Sequence, residues 1–262
     1  MWVLVLEGIA IGTLLGLTGA GGGILAVPAL MASQGWSVAQ AAPVGLIAVT
    51  ISAFISTIQG FVQHVVRYRA AIWIAILAIP FAHFGVVFSH FIPKAYMTLL
   101  FSCVMFFVAY RLFFKQNVEQ PNPLCKLNPN TGRFLWNKKT AVILGCVGIF
   151  SGFLTGLLGV GGGFIIVPVL KRITNLGMKS IISTSLMIVG LIGSFTIILH
   201  LLEGFSYPKT ITIMFVIACI VGLLVGKQLL NIISPKVVQR IFALTVVCVA
   251  TSMFLTAVQH FV

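Results

Sequence analysis

Residues 8–28 read GIAIGTLLGLTGAGGGILAVP, and residues 148–168 read GIFSGFLTGLLGVGGGFIIVP. At a constant offset of 140, 12 of these 21 positions are identical. Each copy sits in an apolar stretch of about 31 residues, longer than the roughly 20 that cross a bilayer core. Glycine costs about 1 kcal/mol relative to alanine inside a helix, so Gly21–Gly23 and Gly161–Gly163 should break their helices. In lipid, irregular backbone survives only where protein buries it or where it lines a cavity. Each break is therefore expected inside the molecule. A helix restarting at the glycines, with Pro28 or Pro168 in its first turns, would aim unpaired N–H groups and a positive dipole end at the break, which is an anion site. The alternative is close helix packing by small residues. Two copies, each in mid-stretch and each followed by Val-Pro, favour the functional break.

Outward from these motifs, composition sets the class. The 262 residues are 60% hydrophobic and 7% charged, against about 25% charged in soluble domains. The acids are Glu7, Glu119 and Glu203, and there is no Asp. Such a chain cannot cover a soluble surface, so it is read as an all-α integral membrane protein whose partner is the lipid bilayer. Eight apolar stretches are expected, at 2–32, 38–62, 70–92, 95–114, 140–170, 180–202, 209–232 and 237–260. The polar segment 115–139 divides two homologous halves, 1–114 and 140–262, and Ile92-Pro93-Lys94 is echoed by Ser234-Pro235-Lys236. Duplication on this scale is a plan of secondary transporters. The N-terminal Met1–Glu7 has no basic region and no small-residue cleavage site after it, so the first stretch is read as part of the mature protein.

The net charge of +13 is spread in short basic runs between apolar stretches. That is the pattern of helix flanks rather than of a nucleic-acid surface, and no nucleic-acid partner is expected. If all eight stretches crossed once, the basic residues would divide nine to seven. If stretches one and five turn back at their glycines, only Lys94 and Lys209 fall on one side and the other 14 share the opposite one. The positive-inside rule selects the second arrangement. The halves are then inverted repeats, with 115–139 cytoplasmic and both termini periplasmic.

No metal or cofactor is expected. The five cysteines have neither ligand nor redox spacing. The GxGGG runs lack the preceding strand, the Lys-Ser/Thr and the acidic partner of a nucleotide site. A Ser183–His200 dyad is the sole arrangement suggesting an intramembrane enzyme, and nothing else supports it.

The paired G-x-x-G-x-G-G-G-x-x-x-V-P motifs, Ser183-Thr184-Ser185-Leu186 and His200-Leu201-Leu202-Glu203-Gly204 resemble the sulfite exporter TauE/SafE family. The likeness spans nearly the whole chain. It implies a transporter in a bacterial inner membrane, exporting sulfite or a related sulfur oxyanion or organosulfonate. In the first half Ala42-Pro43-Val44 stands where the family's T-S-L is expected, which removes hydroxyls from that half.

The expected anion site is Gly21, Gly22, Gly23, Gly161, Gly162 and Gly163, assisted by Thr184 and Ser185 at the start of a helix. His200, Thr18 and Gln59 are candidates for gating or coupling, against plain helix-capping, back-bonding or interfacial roles. No acid falls convincingly at the midplane, which argues against a carboxylate relay and leaves a channel or passive facilitator as the competing function. A scaffold that transports nothing would need no broken helices. The oligomeric state is unknown.

Overall fold

The structure, a computed structural model, describes residues 2–19, 21–114, 125, 137–202, 204, 207–229, 232–233 and 235–259. Glu119, Glu203, Lys115, Lys126, Arg133, most of the connection 115–139 and both chain ends lie outside these. The described residues form ten α-helices and no strand. They are α1 (Trp2–Thr18), α2 (Ala26–Gln34), α3 (Val38–Val62), α4 (Tyr68–Phe91), α5 (Lys94–Phe114), α6 (Lys138–Leu158), α7 (Gly163–Ile173), α8 (Met178–Leu202), α9 (Lys209–Leu229) and α10 (Pro235–Gln259). A 3-10 turn, Gly21–Leu25, joins α1 to α2. Seven of the helices are long and apolar enough to span a membrane: α3, α4, α5, α6, α8, α9 and α10. Stretches one and five are each split, at the glycines.

Local chemistry explains several boundaries. Asn137 caps α6 by accepting from the Lys138 N–H at 2.7 Å. Gln40 accepts from the Ser37 N–H at 3.1 Å and steadies the start of α3. Gly35 ends α2 in the left-handed region, φ 66°, with its N–H on Met31 O.

The two halves interlock. Each half's first helix packs on the other half's fourth, α1 on α9 and α6 on α4. Lipid provides no hydrophobic force between helices, so small residues that let backbones touch take over. Gly8, Gly12 and Gly16 abut Phe215, Cys219 and Leu223 in order, while Gly222 and Gly226 abut Ile9 and Thr13. Gly148, Gly152 and Gly156 abut Ile74, Ala78 and Ala82 in the same way, and Gly85 abuts Phe153. Both pairs are therefore parallel. The central helices α3 and α8 run antiparallel, since Gly60 meets Ser183, Gly190 meets Phe54 and Gly193 meets Thr50. α5 and α10 pair at the periphery and present Phe107 and Leu255 outward.

The broken segments are hairpins. Gly22 lies against Leu14 and Leu15, and Ser33 at the end of α2 lies near Glu7 at the start of α1. The end of α7 returns to the start of α6: Ile173 O accepts from the Cys125 N–H at 2.9 Å, and the Cys125 thiol meets Thr140. Burial pushes that thiol's pKa above its ordinary value, partly offset by the Thr140 hydrogen bond. Along this path the helix ends flanking 63–67, 115–137, 174–177 and 230–234 gather at one end of the bundle, and those flanking 35–37, 92–93 and 203–208 at the other.

Candidate functional site

The second break shows why glycine is required. Gly159 closes α6 at φ 68°, with its N–H on Thr155 O at 2.8 Å. Gly161 and Gly162 follow at φ 77° and 61°, conformations that cost an L-residue about 1–2 kcal/mol each. The turn brings Gly162 back beside Ser151, whose hydroxyl donates to Gly162 O at 3.3 Å. Ile165 and Ile166 N–H donate to the same oxygen. By helix geometry the Gly163 and Phe164 N–H groups, in the first turn of α7, have no intrahelical acceptor. A side chain at 162 would collide with Ser151 and Thr155.

The first break differs from expectation. Gly19 turns at φ 88°, but the chain then takes the 3-10 turn, and α2 begins only at Ala26. Gly21–Gly23 thus belong to that turn rather than to a helix start.

The two breaks meet. A Cβ on Gly23 would lie 3.1 Å from Val160 O and 3.2 Å from Val49, and one on Gly161 would lie 2.8 Å from Val189 and 3.6 Å from Val49. Gly22, Gly23 and Gly161–Gly163 are all buried. The outer ends of the breaks reach the opposite half: Gly19 abuts Ile182 of α8, and Gly159 abuts Ala42 of α3. The contacts of Gly19 and Gly159, themselves 140 apart, pair Ala42 with Ile182, the same offset of 140 as the glycine motifs. The counterparts of Ser183, Thr184 and Ser185 are thus Pro43, Val44 and Gly45, a register two residues from the one the motif suggests. The hydroxyls are missing from the first half in either register.

Thr184 and Ser185 lie well inside α8, which starts at Met178, so neither caps it. Both are fully buried. Thr184 Oγ1 accepts from the Arg67 N–H at 3.0 Å, which leaves its own proton to donate. Ser185 Oγ donates to Ile182 O at 2.8 Å. Ser180 ties the same end of α8 to Val65 O. Thr18 donates to Leu14 O at 2.6 Å, the ordinary back-bond of a helical threonine. His200 Nδ1 lies 2.8 Å from Thr196 O in the last turn of α8, far along that helix from Thr184.

Gln59 is placed differently. Its Oε1 accepts from Lys227 Nζ at 2.8 Å, and that ammonium also donates to Ser56 O at 3.1 Å. Lys227, read from sequence as a flank charge, reaches inward from the last turn of α9 onto α3. Gly16 permits this, because its bare Cα lets the Lys227 backbone come close. Ser52 and Ser56, one and two turns along α3 from Val49, are fully buried. Their hydroxyls, and that of Thr50, have no partner among the described residues. Sequence reasoning named Gln59 but missed Ser52, Ser56 and Lys227. The available signal was that Lys227 falls inside the apolar stretch 209–232 rather than in a gap.

Two interlocked halves of apolar helices, each broken at buried glycines, define a polytopic membrane protein of transporter type. Residues 4–253 match the family model "Sulfite exporter TauE/SafE", and the chain belongs to that family of membrane transporters. It is 25% identical over 252 residues to the probable membrane transporter protein YjnA of Bacillus subtilis, covering 92% of this chain and 94% of that one. A probable membrane transporter protein of Xylella fastidiosa (strain Temecula1) is 28% identical over 243 residues, covering 92% and 89%. One of Methanocaldococcus jannaschii is 27% identical over 248 residues, covering 89% and 88%. No solved structure matches.

Proposed function

We propose that this protein is a secondary transporter that exports a small anion, with sulfur oxyanions and organosulfonates as the favoured substrates. Its two halves, 1–114 and 140–262, work as inverted repeats by alternating access. The anion sits where Gly21–Gly23 and Gly161–Gly163 meet, held mainly by backbone N–H groups, with Thr184 donating its free proton and Ser185 lining the wall. The observation that carries this reading is the buried meeting of the two breaks, Gly23 against Val160 and both glycine runs against Val49. Irregular backbone is stable at that depth only in such a setting, and broken helices at a repeat interface are where transporters hold anionic groups. The parallel α1–α9 and α4–α6 pairs and the antiparallel α3–α8 pair support inverted halves. The 14:2 basic split supports a cytoplasmic 115–139 connection and periplasmic termini in a bacterial inner membrane. The family's name supports sulfur oxyanions.

Flux of labelled sulfite into proteoliposomes tests the reading, with sulfate, thiosulfate and small organosulfonates as competitors. Saturable flux with counterflow is the expected result. Flux without saturation or counterflow would make the protein a channel, and no flux or competition with any anion would overturn the transport of sulfur anions.

A further inference from the structure

We propose that Ser52, Ser56 and Gln59 of α3, with Lys227 of α9, form an anion-access path and charge-neutralising subsite leading from the glycine centre to the membrane face of the 115–139 connection. It is built across the two halves, at the α3–α9 contact alone. The inference rests on the anion-carrier reading above and adds its polarity and its route.

Positions 49, 52, 56 and 59 recur at helical spacing and share one face of α3. At the inner end, Val49 touches both glycine breaks. At the outer end, Lys227 Nζ bonds Ser56 O and Gln59 Oε1. Between them lie two serines with no solvent exposure and no partner for their hydroxyls among the described residues. A helical serine or threonine in an apolar setting normally bonds a carbonyl one turn back. Thr57 does so with Ala53 O at 2.7 Å, and Ser194 with Gly190 O at 2.8 Å. Ser52 and Ser56 leave that bond unmade. A buried hydroxyl without a partner marks a place where water or a ligand completes the set.

Lys227 has the same character. Its two acceptors are neutral, so a cation drawn into the bundle has no bonded counter-charge among the described residues. An oxyanion would supply that charge and would accept from both serine hydroxyls. Helix-embedded cations mark ion or substrate pathways. The duplication-related pair, α8 with α4, has no counterpart. At the offset of 140 that relates α3 to α8, Ser52, Ser56 and Gln59 become Ile192, Thr196 and Leu199. Thr196 already bonds Ile192 O at 3.0 Å. The contacts Gly12–Cys219 and Gly152–Ala78 relate α4 to α9 at an offset of 141, which sets Val86 opposite Lys227. The path is therefore charged on one side of the centre and apolar on the other.

The test needs no knowledge of the substrate. In the full chain with its five cysteines replaced, single cysteines at Ser52, Ser56 and, as control, Ile192 are exposed in proteoliposomes to two methanethiosulfonates of similar size. One carries a sulfonate and the other a quaternary ammonium. Ser56→Cys should react roughly tenfold faster with the anionic reagent, the scale of local electrostatic enrichment, and Ile192→Cys with neither. Lys227→Gln should abolish the preference and Lys227→Arg should keep it, with matching elution profiles showing that each variant folds. Failure of both reagents at 52 and 56, or a preference that survives Lys227→Gln, overturns the proposal. Absent anion flux in the parent protein would instead overturn the carrier reading and leave the labelling pattern intact, so the two failures are distinguishable.

Discussion

Gly12 rests directly on the carbonyl oxygen of Cys219, so closely that a Cβ at position 12 would overlap that oxygen. Gly152 rests on Ala78 O in the same way. The two contacts are equivalent under the internal duplication, and they hold the halves together through glycine Cα–H groups against carbonyl oxygens.

Gly152→Leu should force α6 off α4. The blocking atoms are backbone and cannot rotate away, so the cost should reach or exceed the upper end of the usual overpacking range, about 3 kcal/mol. Thermal unfolding in detergent should show a clear fall in Tm. Gly177→Ala, where a Cβ meets nothing within 4 Å, should leave Tm nearly unchanged.

Gly162→Leu should abolish transport. The position is left-handed at φ 61°, and a side chain would strike Ser151 and Thr155. Proteoliposome flux should fall to background while the protein still elutes as a folded species. Wild-type flux from this variant would exclude the glycine break as the anion site.

Thr184→Val should remove the acceptor of the Arg67 N–H, at a cost of about 1–3 kcal/mol. Thr184→Ser should restore it. Flux per folded molecule in the two variants separates a structural hydroxyl from one that also binds: loss in Val with recovery in Ser, at matched folding, is the expected pattern.

Sidedness can be read by thiol labelling in a cysteine-free background. Lys94→Cys and Lys209→Cys should react with a membrane-impermeant maleimide on intact cells. Arg69→Cys and Arg172→Cys should react only after permeabilisation. Labelling of all four from outside would refute the assignment of the 14 basic residues to the cytoplasmic side.

The sequence alone determined the membrane class, the duplication and the break points. Each depends on composition or on local backbone cost: too few charges to cover a soluble surface, and glycine runs that no apolar helix carries through without loss. It left Thr18 between a gating role and a back-bond, and the structure shows the back-bond to Leu14 O, which a helical threonine can make whatever its surroundings. The tertiary structure decided what depends on residues distant in the chain. It interlocked the halves, α1 on α9 and α6 on α4, because backbone approach between helices far apart in the chain is set by shape rather than by local pattern. It put Thr184 on the Arg67 backbone, 117 residues away. It also turned Lys227 from a flank charge into an interior cation, because a lysine stem can snorkel inward onto α3 as readily as outward, and the acceptors on α3, Ser56 O and Gln59 Oε1, hold it there.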